Sequence, residues 1–243
     1  MNGMKIDKPT YLPQYINWHG ASNPESLSTD LSQEIGQLLS QTLLLDRRAS
    51  MAVSGGRTPI PLFEKLSKLK LDWSKIDLTL ADERWVEKTH KDSNELLVRR
   101  HLFKNNASHA TFTPLMNSAK SAKEGQIECE NVLKRVKQPF DVIVLGMGND
   151  GHTASLFPCC AELVTAMNSN SARNCIATMP KSAPYQRISL TYSTISNANN
   201  IILHIEGQEK LNTLKLAMKN KDPSKMPIYA FLNQPLSIYW SPN

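Results

Sequence analysis

The stretch Asp141–Pro158, DVIVLGMGNDGHTASLFP, decides how this chain is read. Val142 to Leu145 is a short, branched, unbroken apolar run, the pattern of a parallel strand buried on both faces. At Gly146 the run passes into a loop in which Gly146, Gly148 and Gly151 bracket Asp150, with His152 directly after. Loops at the carboxyl ends of such strands are where open α/β sheets hold their ligands. The glycine spacing also fits the dinucleotide fingerprint G-x-G-x-x-G, which requires a following helix and an acid about 20 residues on. Pro158 stops any helix within two turns, and Met167 to Ser171 offers no acid, Glu162 being the only one nearby. A dinucleotide is disfavoured, and no cofactor is expected.

Upstream, the pattern repeats as strand, loop, helix. Leu27, Leu31, Ile35, Leu38 and Leu39 recur at three and four residues, predicting an amphipathic helix between Asn23 and Arg48 with Asn23 as its cap before Pro24. Ala49–Ser54 reads as a buried strand running into Gly55, Gly56, Arg57, Thr58 and Pro59, with Leu62, Phe63 and Leu66 at helical spacing beyond. Free backbone N–H groups at such a turn make an anion cradle, to which Arg57 adds charge. The same residues also suit a plain strand-to-helix turn with an exposed arginine. The next strand, Ile76–Leu80, leads to a charged loop of Asp82, Glu83 and Arg84, groups that are costly to bury unless they pair or bind something. Ser93 and Asn94 are placed to cap a helix Glu95–Phe103.

Further strands are predicted at Tyr15–Trp18 (an edge), Phe112–Leu115, Cys175–Met179, Gln186–Tyr192, Ile201–Ile205 and Leu236–Trp240. Helices are predicted at Lys120–Lys137, within 159–173, at Gln208–Lys219 and at Pro227–Leu232. Arg187 stands at the head of one strand. Lys210 lies in the first turn of a helix, where a cation opposes the dipole and either is solvated or meets an anion. The alternation predicts an α/β fold: a mostly parallel central sheet with helices on both faces, a Rossmann-like three-layer sandwich.

The chain has 243 residues, no linker-like stretch and no internal repeat, so one domain over residues 1–243 is expected. No apolar run approaches a membrane span, and Met1 to Pro13 lacks the apolar region of a signal peptide, so a cytoplasmic protein without a membrane partner is expected. Cys129, Cys159, Cys160 and Cys175 lack metal-ligand or C-x-x-C spacing and are expected as reduced thiols. The histidines show no short paired spacing, so no metal site is expected. The net charge is +6, but the basic residues are scattered rather than gathered in a tract, which suits a small anionic substrate and not nucleic acid.

Taken together, SGGRTP (54–59), DER (82–84) with Ser93 and Asn94, LGMGNDGHTASLFP (145–158), QRISLTYSTI (186–195) and EGQEK (206–210) resemble the 6-phosphogluconolactonases, within the larger group that includes glucosamine-6-phosphate deaminase. The resemblance implies hydrolysis of 6-phospho-D-glucono-1,5-lactone in the oxidative pentose phosphate pathway by a monomer or homodimer. It implies that His152 is a general base, that Asp150 orients the site or the imidazole, and that Arg84, beside Asp82, contacts substrate or balances developing charge. Gly55, Gly56, Arg57 and Thr58, with Arg187 and Lys210, would bind the phosphate. The chemistry is self-consistent: ester hydrolysis needs a base for water and donors for an oxyanion, and histidine titrates nearest neutral pH.

The chain departs from the pattern shortly after DER, where a proline is common and the segment reads Trp85, Val86, Glu87, at Cys159 and Cys160, where a glycine is often found, and at Arg57, often Ser or Thr. The deaminases carry a tyrosine where Arg84 stands and a glutamate five residues beyond the histidine, here Phe157. A sugar-phosphate sensor is the other alternative, but no recognition-helix pair precedes the first sheet loop.

Overall fold

The computed structural model describes residues 6–243. Residues 1–5, part of the single domain expected over 1–243, lie outside the described residues. The strands are β1 (Ile16–Gly20), β2 (Ala49–Val53), β3 (Ile76–Leu80), β4 (Asp82–Arg84), β5 (Thr111–Phe112), β6 (Val142–Leu145), β7 (Cys175–Thr178), β8 (Arg187–Leu190), β9 (Ile201–Glu206) and β10 (Leu236–Ser241). The helices are α1 (Pro24–Leu45), α2 (Ile60–Leu66), α3 (Asn94–His101), α4 (Ala122–Leu133), α5 (Leu163–Ala166), α6 (Tyr192–Ser196), α7 (Gln208–Asn220) and α8 (Ile228–Leu232).

Seven strands form one sheet in the order β1-β10-β9-β6-β2-β3-β5, every pair parallel. The predicted α/β architecture is found, with helices around the sheet. Strands β2, β3 and β6 are buried at every position, as their unbroken apolar runs require. Leu27, Leu31, Ile35 and Leu39, one face of α1, are all within 1% of full burial. The helix starts where its sequence says: the Asn23 side chain accepts from Ser26 N at 2.8 Å, and Pro24 occupies the first turn.

Four elements depart from expectation. Asp82–Arg84, expected as a loop, is a strand, because β4 pairs antiparallel with β8, itself paired antiparallel with β7, in a second, three-stranded sheet. Apolar periodicity cannot separate such strands from the main sheet, since pairing partners leave no local signature. The expected strand Phe112–Leu115 is reduced to Thr111–Phe112 on the far edge of the large sheet, and the helix expected within 159–173 is the single turn α5. Lys120–Lys137 shortens to α4, which begins at its cap Ser121, whose side chain accepts from Glu124 N.

From β2 the chain moves outward through β3 to β5; from β6 it moves the opposite way through β9 to β10. The adjacent carboxyl ends of β2 and β6 are therefore the switch point of the sheet, where two successive connections diverge and leave a crevice. Both glycine loops emerge there.

Candidate active site

The crevice has a volume of ≈ 240 Å³. Nine of the ten residues singled out from the sequence line it: Gly55, Gly56, Arg57 and Thr58 after β2, Asp82 and Arg84 on β4, His152 after β6, Arg187 on β8 and Lys210 on α7. Asp150 does not line it and joins through its contact with His152.

After β6 the loop folds back on itself. Gly148 N donates to His152 O at 2.9 Å, and Thr153 Oγ1 donates to Gly146 O at 2.7 Å. This turn presents Asp150 to the histidine twice: Oδ1 accepts from His152 N at 3.1 Å and lies 2.5 Å from Nδ1. Burial alone would raise the Asp150 pKa, but the hydrogen bonds and charge of His152 outweigh it and hold the carboxyl below its ordinary value. An ionised Asp150 fixes the proton on Nδ1 and leaves Nε2 as the basic nitrogen. The imidazole also stacks on Phe157, with centroids 4.0 Å apart and planes at 24°. Phe157 is buried, and its ring lies 5.6 Å from the guanidinium carbon of Arg187. One aromatic residue thus supports both the imidazole and a cation.

The second sheet supplies charge. Its register sets Arg84 directly opposite Arg187, and Asp82 opposite Ser189. Like charges facing each other across strands are unfavourable unless an anion lies between or beside them. Asp82 is that anion in part: Oδ2 is 4.0 Å from Arg187 Nη1 and accepts from Ser155 Oγ at 2.5 Å. Burial pulls the Arg187 pKa down, opposed first by Asp82. Arg84 is oriented by donation from Nη1 to Asp92 O.

Glu83, between them, is fully buried and serves the backbone. Oε1 accepts from Arg84 N and Asn94 N at 2.7 and 2.8 Å; Oε2 accepts from Glu95 N at 2.7 Å and Ser93 Oγ at 3.1 Å. Burial pushes its pKa up to about 7 against these backbone donors. Ser93 Oγ also accepts from Leu96 N at 3.2 Å, capping α3. Ser93→Ala therefore removes a helix cap and a donor to a buried carboxyl, and unfolding in urea should show a loss of about 1–2 kcal/mol.

The two glycines after β2 have different duties. Gly56 has φ +99°, a conformation that side-chain-bearing residues rarely adopt. Gly55 lies so close to Asn94 that an added Cβ would be 1.9 Å from Oδ1. Asn94 in turn donates from Nδ2 to Asp82 O at 2.8 Å, tying the β2 loop to β4. On the opposite side Lys210 donates to Asn149 Oδ1, and burial lowers its pKa.

Nine buried side-chain polar atoms lack a hydrogen-bond partner among the described residues, and six belong to this crevice. They are Ser54 Oγ, Arg84 Nε, Arg187 Nε, both ring nitrogens of His204, and Glu206 Oε1. Native interiors satisfy nearly all such groups, so this concentration marks a place built for a polar ligand. Among the described residues no cluster of three or more His, Cys, Asp or Glu side chains could hold a metal ion.

Sequence reasoning did not single out Ser155, Phe157 as a platform, His204 or Glu206. Ser155 and Phe157 sit inside the glycine-rich motif and were within reach of it; His204 read simply as part of an apolar strand, and Glu206 as the first residue of the EGQEK segment, without a role of its own.

Residues 22–240 match the family model described as glucosamine-6-phosphate isomerases/6-phosphogluconolactonase. The chain belongs to this family. Within it, the chain stands with the 6-phosphogluconolactonases, which are hydrolases: it is 39% identical to the 6-phosphogluconolactonase of Pseudomonas putida over 231 residues, 95% of each chain. To that of Pseudomonas aeruginosa it is 43% identical over 212 residues, 87% of this chain and 89% of the relative. The crystal structure of a 6-phosphogluconolactonase from Shewanella baltica superposes with a TM-score of 0.91 at 42% identity, covering 95% of this chain and 99% of that one. A monomeric glucosamine-6-phosphate deaminase shares the fold at a TM-score of 0.76 and 15% identity. No helix among the described residues is long and apolar enough to cross a membrane.

Proposed function

We propose that the crevice hydrolyses 6-phospho-D-glucono-1,5-lactone to 6-phospho-D-gluconate, in the cytoplasm and without a cofactor, as a step of the oxidative pentose phosphate pathway. The observation that carries this reading is the Asp150–His152 pair, set in a crevice lined by Arg57, Arg84, Arg187 and Lys210. A base and several fixed cations are what a phosphorylated ester requires.

In the proposed reaction His152 Nε2 takes a proton from water, and the water oxygen bonds to the lactone carbonyl carbon. Negative charge moves onto the carbonyl oxygen, where Arg84 balances it. The tetrahedral intermediate collapses by breaking the bond from that carbon to the ring oxygen, which takes the proton back from the imidazolium. Asp150 holds the ring and stabilises its positive form. The Gly55–Thr58 loop, Arg187 and Lys210 hold the phosphate, and Asp82 keeps Arg187 in place.

Fold alone does not decide between lactonase and deaminase. Phe157 does favour the lactonase: the residue five beyond the histidine is here a stacking platform, with no group to relay a proton. Freshly generated lactone, followed by coupled oxidation of 6-phosphogluconate and corrected for spontaneous opening, tests the proposal. Acceleration supports it; binding of 6-phosphogluconate without acceleration would indicate a sensor. Arg187→Ala should chiefly weaken binding, by roughly 10- to 100-fold, seen as a raised KM with kcat much less affected.

A further inference from the structure

His204 and Glu206 lie two residues apart on β9 and so share one face of the strand. Both line the crevice, and neither has a part in the reaction proposed above. His204 is 3% exposed, yet both ring nitrogens lack a hydrogen-bond partner. Glu206 Oε1 is likewise buried and unpaired, 3.9 Å from His204 Nε2, too far for the two to satisfy each other. The last paired residues of β9 and β6 are Leu203 and Leu145, so His204 comes beside Gly146. A Cβ built on Gly146 would meet nothing within 4 Å, so the space there is open.

Three orphaned polar atoms at one place are an arrangement that free folding disfavours, since each loses water without gaining a partner. Their chemistry restricts what completes them. Burial pushes the His204 pKa down to about 4, so at neutral pH the ring is uncharged and offers one donor and one acceptor. Glu206 adds acceptor oxygens. A phosphate dianion wants donors alone and has them elsewhere in the crevice; acceptors would repel it. A sugar hydroxyl both donates and accepts, and suits this pair.

We propose that His204 and Glu206 form a hydroxyl-recognising subsite, which gives the crevice its preference for a polyhydroxylated sugar phosphate over a bare phosphate. The inference rests on the lactonase reading for the identity of the ligand. Titration calorimetry of wild type, His204→Leu and Glu206→Gln with 6-phosphogluconate, and with inorganic phosphate as a ligand lacking hydroxyls, tests it. Each variant should bind 6-phosphogluconate roughly 10- to 100-fold more weakly while phosphate affinity stays within about twofold. Thermal unfolding should show His204→Leu at least as stable as wild type, because two unpaired buried atoms are removed. Unchanged 6-phosphogluconate affinity in both variants, or equal loss for both ligands, would overturn the subsite. A wild type that fails to bind 6-phosphogluconate would instead overturn the lactonase reading, and the subsite with it.

Discussion

His152→Ala should lower kcat for 6-phosphogluconolactone by roughly 100- to 10,000-fold, the range that a positioned general base supplies. Affinity for 6-phosphogluconate should stay within about twofold, because in the proposed reaction the imidazole acts on water while the cations hold the ligand. The measurement is the coupled assay for turnover beside calorimetry for binding. Asp150→Asn gives an internal control. The amide keeps the contact with Nδ1 but loses the negative charge that stabilises the imidazolium, so turnover should fall by less than in His152→Ala and binding should again be kept. Equal losses of affinity and turnover in His152→Ala would sink the division between a base and a phosphate site. Unimpaired turnover would remove His152 from the chemistry altogether.

Much of this arrangement was legible in the sequence, for reasons that differ by residue. Asp150 and His152 are two positions apart in one glycine-rich loop, so their meeting is a local event that short-range spacing records. The buried strands β2, β3 and β6 announce themselves by unbroken apolar runs. The Asn23 cap follows from its place before Pro24. Arg84 and Arg187 are a different case: 103 positions separate them in the chain, and only the antiparallel pairing of β4 with β8 sets them opposite each other. No periodicity encodes that register, and three strand residues carrying three charges look like a loop. His204 illustrates a second limit. Its immediate sequence is apolar, and what distinguishes it is the lack of partners at 3% exposure, a property of the assembled molecule.

Gly148→Ala should come close to His152→Ala in its effect on turnover without touching a reacting atom. A Cβ built on Gly148 would lie 2.2 Å from both Cε1 and Nδ1 of His152, and 2.6 Å from Asp150 Oδ1. Contacts that short cannot persist, so the loop or the ring must move. The ring has little freedom to absorb the methyl, being stacked on Phe157 at 4.0 Å and tethered to Asp150. Phe157 is buried and cannot retreat without disturbing the core. The imidazole is therefore expected to leave its place above Phe157 or lose its hold on Asp150. Displacement of a catalytic group by about 1 Å can lower the rate roughly 100-fold, and that is the expected loss in kcat. Stability should fall by about 1–3 kcal/mol, the usual effect of forcing a methyl into a filled space. Phosphate binding, proposed for the loop after β2 and for β8 and α7, should be largely retained. A Gly148→Ala protein with wild-type kcat would show that the Asp150–His152–Phe157 geometry is not what the reaction depends on.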